Sequence, residues 1–494
     1  RLWPRLFQGH RSSREFARVL IVGAGHGGQL VAADLLGNPQ WHRHPVGFLD
    51  DDPHLSRKSI HGISVLGTID DLPRIVPEFE VDIVAVAIPS ASVHEVERIL
   101  AIARDTDARI QILPSPAEVM MGDSSMRLRD INLDDLLDRV PDRAALERPE
   151  VQSTLRDKVI LVTGARGSIG FELCRQLLSL TPARVVALDN NETGLFYLKR
   201  ELSHDPNKAL LSLVLGDVTD EHKMERIFRR YKPVVVFHAA AYKHVGMLED
   251  HPEEAVFTNV IGTLNLCRAA ARNECERFVF ISTDKAVQPA NVLGFSKRIG
   301  EFVVRAHQDT ETVFCAVRFG NVVGSRGSAL PEFIHQIDAG GPVKVTHPDV
   351  ERYFMTIPEA VSLVIQAGAF ARGGELFMLD MGEPIKIRDL AERIIRLRGL
   401  RVGKDVHLEY TGLQPGEKLS EEIMFDAERT QPTSNPAVFA VEDAEVPDLV
   451  YLEHSIAILA EVATQSDSLA IRSMLERLAT DHFFRRSSHL KTVG

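Results

Sequence analysis

Three consecutive side chains that can do acid–base chemistry follow a short apolar strand in the second half of this 494-residue sequence. The strand is predicted over residues 277–282, and Thr283, Asp284 and Lys285 come directly after it. Doubly wound sheets place their reactive groups at the carboxyl ends of parallel strands, where carboxyl and amino groups can move protons. The alternative is that Asp284 and Lys285 form an ordinary ion pair on the surface.

A glycine-rich turn, Gly-x-x-Gly-x-x-Gly, lies earlier in the chain between a predicted strand and a predicted helix. Gly164 permits the tight turn, Gly167 lets the backbone approach a pyrophosphate, and Gly170 lets helix and strand pack closely. The helix N-terminus then offers its amide groups to phosphates. Asp189 ends the next strand, where a carboxylate accepts the ribose hydroxyls of NAD and repels the extra phosphate of NADP.

Asp217 ends a third predicted strand, at the place where an adenine edge would lie. Together these features predict a dinucleotide site, and the alternative is a purely structural turn. NAD is the predicted cofactor. The cofactor-binding residues predicted from this pattern are Gly164, Arg166, Gly167, Ser168, Ile169, Gly170, Asp189 and Asp217.

Short apolar strands alternate with helices along most of the chain, which indicates parallel sheets covered on both faces. A strand, a glycine-rich turn and a helix occur in this order twice, from residues 18 and 158. We therefore predict an α/β fold with two tandem doubly wound, Rossmann-like sheets, the second with a smaller C-terminal substrate-binding lobe. The predicted domains are an N-terminal segment (1–16), a Rossmann-like nucleotide-binding domain (17–126), a linker (127–156), a catalytic domain (157–445) with its lobe from about 320, and a helical tail (446–494).

The composition narrows the classes of partner. The formal net charge of −12 argues against nonspecific nucleic-acid binding and against an anionic membrane surface as the main partner. Four cysteines without a C-x-x-C pair predict neither disulfides nor a metal site. No membrane span or signal peptide is evident. We expect a homo-oligomer in the cytoplasm, or at the inner face of the plasma membrane if a membrane anchor precedes Arg1.

Further segments make the sequence similar to one family. Lys297 follows Leu293 with the spacing of the Tyr-x-x-x-Lys motif of extended short-chain dehydrogenases/reductases, with leucine in the tyrosine position. Over about residues 158–425 the chain resembles the long-form UDP-N-acetylglucosamine 4,6-dehydratases of bacterial polysaccharide biosynthesis. The segments that carry the resemblance are Thr163-Gly-Ala-Arg-Gly-Ser-Ile-Gly, Ala240-Ala-Tyr-Lys-His, Ser282-Thr-Asp-Lys-Ala-Val, Arg318-Phe-Gly-Asn-Val, Gly324-Ser-Arg-Gly-Ser, Thr346-His-Pro-Asp, Arg352-Tyr-Phe-Met-Thr and Pro415-Gly-Glu-Lys-Leu.

The resemblance implies that tightly held NAD oxidises carbon 4 of a UDP-N-acetylhexosamine, after which the carbon 5 proton and the carbon 6 hydroxyl leave and the hydride returns to carbon 6. Thr283 would hold the carbon 4 oxygen, Asp284 would protonate the carbon 6 hydroxyl, and Lys285 would be the carbon 5 base. The resemblance implies that Lys297 would hold the nicotinamide ribose of the cofactor. Leu293 cannot carry a proton, so an ordered water is expected to accept the carbon 4 hydroxyl proton.

These roles set requirements on protonation. Lys285 can be a base near neutral pH only if its pKa falls well below ~10.4. Desolvation and the nearby positive charge of Lys297 are expected to lower it. Asp284 must conversely stay protonated, which requires a poorly solvated site.

The resemblance also suggests the substrate pocket. Arginine suits a diphosphate because its planar guanidinium group can hydrogen-bond to two phosphate oxygens at once. Glu417 and Lys418 could close over the uridine. The alternatives are a packed histidine at position 244 and a surface salt bridge at position 352. The predicted substrate-binding residues are Lys243, His244, Asn321, Arg326, Arg352 and Glu417.

Other readings stay open at this point. A second glycine fingerprint at residues 23–28, followed by Asp50, indicates either a regulatory nucleotide site or a structural Rossmann-like domain. The leading prediction is NAD-dependent 4,6-dehydration of a UDP-N-acetylhexosamine, most simply UDP-N-acetylglucosamine. The alternatives are a nucleotide-sugar 4-epimerase, which Leu293 disfavours, and a non-catalytic NAD-binding sensor or scaffold.

Overall fold

The computed structural model describes residues 16–89, 93–103, 106, 108–113, 128–130, 144–308, 310–398, 400–425, 429–442, 448–465 and 467–480. Nearly all of the predicted N-terminal segment, part of the predicted linker and residues 481–494 lie outside the described residues. The chain forms two compact units. One comprises Arg1–Val140 and Glu392–His407, and the other comprises Pro141–Ala391 and Leu408–Gly494.

The first unit is built on a mainly parallel sheet. Its described helices are α1 (His26–Gly37), α2 (Leu72–Glu78) and α3 (Val93–Ala103). Its described strands are β1 (Ala17–Val22), β2 (Arg43–Leu49), β3 (Ser59–Ile60), β4 (Ile63–Gly67), β5 (Ile83–Val86), β6 (Arg109–Ile112) and β7 (Arg129–Asp130), in the spatial order β3-β4-β2-β1-β5-β6-β7.

Strand β1 shows why the first sheet is apolar along its whole length. Val19 and Ile21 enter one hydrophobic core, which includes residues of α1. Leu20 and Val22 enter a second core, which includes residues of α2 and α3. Since successive side chains of a strand point to opposite faces, a sheet with helices on both faces needs apolar residues at every position.

The second unit contains the larger sheet, in the order β10-β9-β8-β11-β12-β13-β18-β22-β21. The strands from β10 to β18 are parallel, and the strand order reverses between β8 and β11, which makes this edge the topological switch point. The bounds of its strands are β8 (Val159–Thr163), β9 (Arg184–Asp189), β10 (Leu211–Leu215), β11 (Val235–His238), β12 (Arg277–Ile281), β13 (Val313–Arg318), β18 (Glu375–Leu379), β21 (Arg429–Pro432) and β22 (Val438–Glu442).

Short strand pairs lie beyond residue 320, in the region where a substrate-binding lobe is predicted. They are β14 (Asn321–Val322) with β17 (Phe354–Met355), β15 (Val343–Val345) with β20 (Leu408–Tyr410), and β16 (Glu351–Arg352) with β19 (Ile385–Lys386).

Helices cover both faces of the second sheet, and several begin at a side-chain N-cap, as Asn191, Asp220 and Asn291 show. The helices from residue 149 onward are α4 (Pro149–Leu155), α5 (Ser168–Ser179), α6 (Glu192–Glu201), α7 (Glu221–Tyr231), α8 (Val245–Asp250), α9 (Pro252–Glu254) continued by a π-helical stretch (Ala255–Ile261), α10 (Gly262–Arg272), α11 (Val292–Ala306), α12 (Ala329–Asp338), α13 (Ile357–Phe370), α14 (Ile387–Leu397), α15 (Leu449–Thr464) and α16 (Ser468–Thr480).

The tail helices α15 and α16 pack against the rest of the second unit. Leu452, Ile456 and Leu475 are buried in the hydrophobic core that also holds Phe295 and Ile299 of α11. The predicted fold class, an α/β fold with doubly wound parallel sheets, is therefore confirmed. No described helix is long and apolar enough to cross a membrane.

Candidate active site

The glycine turn between β8 and α5 excludes a side chain at two of its positions, Gly164 and Gly170. Gly164 has a φ of +66°, and a Cβ added there would lie 2.6 Å from the Ala240 amide nitrogen. A Cβ at Gly170 would lie 2.1 Å from the Gly164 carbonyl oxygen. The turn therefore brings bare backbone to the switch point, directly before the N-terminus of α5.

Asp189 lies beside this turn, as predicted for a residue that accepts ribose hydroxyls. Its Oδ2 accepts the Arg166 amide at 2.8 Å and its Oδ1 accepts the Asn191 amide at 2.9 Å. Each carboxylate oxygen keeps a second lone pair for a hydroxyl donor. A buried nitrogen of the Arg166 guanidinium, Nη1, has no hydrogen-bond partner among the described residues, so it is available to an anionic ligand.

Asp217 borders a smaller cavity of about 140 Å³ that also touches Gly164 and Asp189. Partial burial disfavours the Asp217 carboxylate, but hydrogen bonds from Asn190 and Thr219 and the charge of Lys223 outweigh it and lower its pKa. Asp217 is thus a ready acceptor beside the turn, at the place predicted for an adenine edge.

A groove of about 800 Å³ opens at the carboxyl ends of the strands. Leu293 and the predicted residues Gly167, Thr283 and Lys285 are among those that line it. Asp284 lines neither cavity. The other predicted site residues that line the groove are Arg166, Ser168, Ile169, Gly170, Asp189, Lys243, His244, Lys297, Asn321, Arg326, Arg352 and Glu417.

Thr283, Asp284 and Lys285 form a hydrogen-bonded cluster at the floor of the groove. Asp284 is fully buried, and its Oδ1 accepts the Thr283 hydroxyl at 2.8 Å and the Lys285 ammonium at 3.0 Å. Lys285 Nζ also donates to Asn321 Oδ1 at 3.2 Å. Asp284 and Lys285 therefore make a buried ion pair at the cavity, whereas the alternative drawn from the sequence was a surface pair.

Lys285 does not have the lowered pKa that its predicted role as a base requires. Burial lowers the pKa of Lys285, but the carboxylates of Asp284 and Glu421 outweigh burial and the charge of Arg352, so the pKa is raised. The expectation of a lowered pKa was wrong because it left out the negative charges of Asp284 and of Glu421, whose Oε1 lies 3.6 Å from Lys285 Nζ.

Burial of its ammonium group lowers the pKa of Lys297 to about 7, and the charge of Glu301 offsets only part of that effect. Its Nζ donates to the Ile281 carbonyl at 2.7 Å and lies 4.6 Å from the centre of the Phe280 ring. Lys297 therefore sits where β12 ends, within the groove.

Helix α11, which carries Leu293 and Lys297, is fixed at its start and along its length. Asn291 caps it by accepting the Gly294 amide at 2.8 Å. Asn259 donates to the Ser296 hydroxyl at 3.0 Å, so the π-helical stretch and α11 are joined by a buried hydrogen bond. Every residue of α11 is buried, which explains why its side chains can be held in one geometry.

Glu301 is a buried residue that the sequence did not single out. It accepts hydrogen bonds from Ser282 at 2.6 Å, from Arg318 at 2.7 Å and from Arg298 at 3.0 Å. Burial raises its pKa, but these partners outweigh burial and lower the pKa to about 2. Glu301 therefore stays ionised and ties α11 to the ends of β12 and β13, directly behind the groove.

Lys243 contacts the loop that follows β14, and Arg326 belongs to that loop. Lys243 Nζ is 3.4 Å from Ser325 Oγ, and burial lowers its pKa. Arg326 donates its amide to Ser168 Oγ at 3.1 Å and Nη1 to the Arg166 carbonyl at 2.8 Å. Arg326 is thus attached to the glycine turn itself.

Arg352 is buried, and its guanidinium group binds the segment that follows Glu417. Its Nη1 donates to the carbonyls of Glu351 and Leu419, and its Nη2 donates to the Lys418 carbonyl at 2.8 Å. Nη2 also lies 3.3 Å from Glu417 Oε1. Arg352 and Glu417, two of the six residues predicted to bind substrate, are therefore paired with each other in this structure.

Metal binding finds no support in the part of the chain that the structure describes, where no group of three or more His, Cys, Asp or Glu side chains could hold an ion. All four cysteines are described, and all are buried and free. Burial raises the pKa of Cys275 to about 12, so this thiol is not a nucleophile at neutral pH.

A doubly wound sheet with reactive groups at its switch point is the architecture of Rossmann-type nucleotide-binding proteins. The chain belongs to the polysaccharide biosynthesis protein family, because that family's model matches residues 160–443. Residues 2–114 match a model described as a CoA-binding domain. The family recognised from the motifs is therefore confirmed.

Known proteins similar to this chain point to nucleotide-sugar chemistry. The chain is 43% identical over 411 residues to the probable polysaccharide biosynthesis protein EpsC of Bacillus subtilis, covering 83% of this chain and 68% of that one. It is 32% identical over 276 residues to a UDP-glucose 4-epimerase of Rickettsia typhi, covering 54% and 78%. The X-ray structure of Pen from Bacillus thuringiensis matches with a TM-score of 0.51 at 34% identity, covering 55% and 84%. The chain is thus related to polysaccharide biosynthesis proteins and to a UDP-glucose 4-epimerase.

Proposed function

We propose that this protein is an NAD-dependent 4,6-dehydratase that converts UDP-N-acetylglucosamine to a 4-keto-6-deoxy sugar nucleotide. The observation that carries the proposal is the Thr283–Asp284–Lys285 cluster, buried at the floor of the groove that also contains Lys297. A sugar held above this cluster would meet a hydroxyl and an ammonium group, with a carboxyl group directly beneath them.

The fit for NAD rests on this chain's own residues. Gly164 and Gly170 leave space for a pyrophosphate at the N-terminus of α5. The unpartnered guanidinium nitrogen of Arg166 supplies a further donor for the phosphates, and the free lone pairs of Asp189 would accept the ribose hydroxyls. When bound, NAD would supply the acceptor and later donor of hydride, so it would end each cycle unchanged.

The protein residues would do the proton transfers at carbons 5 and 6, and an ordered water would accept the carbon 4 hydroxyl proton. The Thr283 hydroxyl would hold the carbon 4 oxygen. The Lys285 ammonium would first pass its proton to the Asp284 carboxylate, 3.0 Å away, which leaves a neutral base to take the carbon 5 proton and a protonated acid to release the carbon 6 hydroxyl as water. Asp284 Oδ2 is buried without a hydrogen-bond partner among the described residues, so a carbon 6 hydroxyl that must be protonated would supply the missing partner. Asp284 does not line the groove, so this transfer requires the cluster to open slightly when substrate binds.

Leu293 supports dehydration over epimerisation. It lines the groove in the position that the sequence aligns with a catalytic tyrosine. Leucine cannot take or return a proton at carbon 4, a step that an epimerase must perform in both directions. The 32% identity to a UDP-glucose 4-epimerase makes epimerisation the second candidate, acting through a proton acceptor other than residue 293.

Proton NMR of UDP-N-acetylglucosamine incubated with the purified protein tests the proposal. We expect a new methyl signal from carbon 6, and deuterium placed at carbon 4 of the substrate should appear in that methyl group. Formation of the galacto isomer would establish the epimerase instead. An unchanged sugar in the presence of bound NAD would contradict both activities and favour a sensor.

A further inference from the structure

Glu421 is a buried carboxylate in the segment that follows the predicted substrate-binding residue Glu417. Only 4% of its side chain is exposed. A carboxylate is expensive to bury unless a cation is near it. Glu421 Oε1 lies 3.6 Å from Lys285 Nζ and 3.8 Å from Arg352 Nε, so one oxygen serves two cations of the groove.

Lys285 has charged or polar neighbours from four segments of the chain. Asp284 comes from its own turn, Asn321 from β14, Arg352 from β16, and Glu421 from the segment after residue 417. Two carboxylates thus face one ammonium group. Arg352 acts in the opposite sense, but its own charge is shared with Glu417, at 3.3 Å.

The two carboxylates differ in how firmly they are attached to Lys285. Asp284 is its neighbour in sequence and is fixed by the Thr283 hydroxyl. Glu421 reaches Lys285 from a separate segment whose backbone is held by Arg352, through the carbonyls of Lys418 and Leu419. Movement of that segment would therefore remove one negative charge from Lys285 and leave the other in place.

We infer that Glu421 is a positioning residue for Lys285. It holds the lysine ammonium at the floor of the groove, and Lys285 becomes able to accept a proton when the Glu421 charge moves away. The inference rests on the proposed function in that Lys285 is the proposed base. The direction of the Lys285 pKa agrees, because the charges of Asp284 and Glu421 raise it against burial. Withdrawal of Glu421 on substrate binding would leave a lysine that gives up its proton more readily.

Trace labelling of the protein with acetic anhydride as a function of pH tests this inference without any turnover, because the Lys285 amine reacts only in its neutral form. Mass spectrometry of the peptide that contains Lys285 gives the midpoint of the labelling curve, the pH at which half of the Lys285 amines are neutral. In Glu421→Gln the midpoint should fall by about one pH unit or more, the scale for a charge within 4–6 Å. Glu422→Gln removes the adjacent exposed carboxylate and should leave the midpoint unchanged.

A second variant guards against misfolding of the first. Glu421→Asp keeps the charge and draws it back from Lys285, so its midpoint should lie between those of the wild type and Glu421→Gln. A Lys285 midpoint that is the same in the wild type and in both Glu421 variants overturns the inference.

The pH profile of turnover separates this inference from the proposed function. The acid limb of kcat/KM, which reports groups of the free enzyme, should move to lower pH in Glu421→Gln by the same amount as the labelling midpoint. If the labelling midpoint moves but the kcat/KM limb does not, Glu421 does not act on catalysis and that part of the inference fails. If the wild type leaves UDP-N-acetylglucosamine unchanged while the midpoint moves, the proposed function fails and the pairing of Glu421 with Lys285 stands.

Discussion

Two of the lysines that line the groove have pKa values shifted in opposite directions. Lys297 faces a carbonyl oxygen and an aromatic ring, and burial lowers its pKa to about 7. Lys285 faces two carboxylates that outweigh its burial and raise its pKa. Near neutral pH Lys285 therefore carries a proton and Lys297 is partly neutral, so the proposed chemistry requires substrate binding to change the surroundings of Lys285.

The roles proposed for the cluster predict the effect of removing each group. Lys285→Ala removes the proposed base and Asp284→Asn the proposed acid, so each should lower kcat by at least ~10²-fold, the scale for a positioned acid or base. NAD binding, measured by calorimetry, should stay within a few-fold of the wild type. Lys199→Ala, at an exposed position of α6, is the control. Near-full turnover in either cluster variant would contradict the assigned role.

What could be predicted at the residue scale depended on local motifs. Thr283, Lys285 and the glycine turn lie in short segments whose order and spacing already indicate a site, and the structure brings them to one groove. Glu301 and Glu421 have no such signal, because each acts through partners far away in the sequence. The direction of the Lys285 pKa was missed for the same reason.

Elements with continuous apolar runs were predictable and short polar elements were not. Strands β8, β11 and β12 are buried on both faces, so their apolar sequences alone identify them. The two-residue strands beyond residue 320 and the polar strand β21 have no comparable pattern. Their pairing follows from tertiary contacts that a one-dimensional pattern does not contain.

One element-scale contact joins the tail to the start of α11. Glu249 of α8 accepts the Val292 amide through Oε1 at 2.7 Å and the Arg472 side chain through Oε2 at 3.1 Å. Arg472 belongs to α16 and also lies over the Phe295 ring. The tail helix thus steadies the carboxylate that satisfies the first amide of the helix carrying Lys297.

Glu249→Ala tests this link, because it leaves the Val292 amide without its acceptor. We expect a loss of about 1–2 kcal/mol in the free energy of unfolding, with faster amide hydrogen exchange confined to the first turn of α11. Arg268→Met is the matched control. It breaks another ion pair that joins the tail to the rest of the second unit, from Arg268 to Glu453, and this pair does not contact the start of α11. Equal exchange in Glu249→Ala and the wild type would show that α11 does not depend on this carboxylate.

At the scale of the whole molecule, the two units repeat one local geometry. In the first unit Gly23 has a φ of +95°, a Cβ at Gly28 would lie 1.9 Å from the Gly23 carbonyl, and Asp50 accepts the Ala24 amide at 2.7 Å. Gly164, Gly170 and Asp189 have the same relationships in the second unit. The duplication was readable from the glycine spacing, but a shared turn does not imply a shared activity.

Buried titratable groups make the stability of the second unit depend on pH. His238 is fully buried between the hydroxyls of Thr163 and Thr263, and burial together with the charge of Lys297 lowers its pKa to about 3. Between this value and about 6.5, the unfolded chain binds a proton that the folded chain does not. The free energy of unfolding must therefore decrease as pH falls below about 6.5. Glu301, with a pKa of about 2, adds the same trend only below about 4.5.

His238→Gln should reduce this pH dependence, since glutamine can hydrogen-bond to a threonine hydroxyl and does not titrate. Between pH 7.5 and 5.5 the wild type should lose about 1 kcal/mol more unfolding free energy than the variant. Hydrogen exchange of the β8 and β11 amides, corrected for the intrinsic effect of pH, measures the second unit alone, whereas both tryptophans, Trp3 and Trp41, belong to the first. His335→Gln, at an exposed position of α12, should follow the wild type. Parallel pH curves for His238→Gln and the wild type would mean that His238 is protonated in the folded protein.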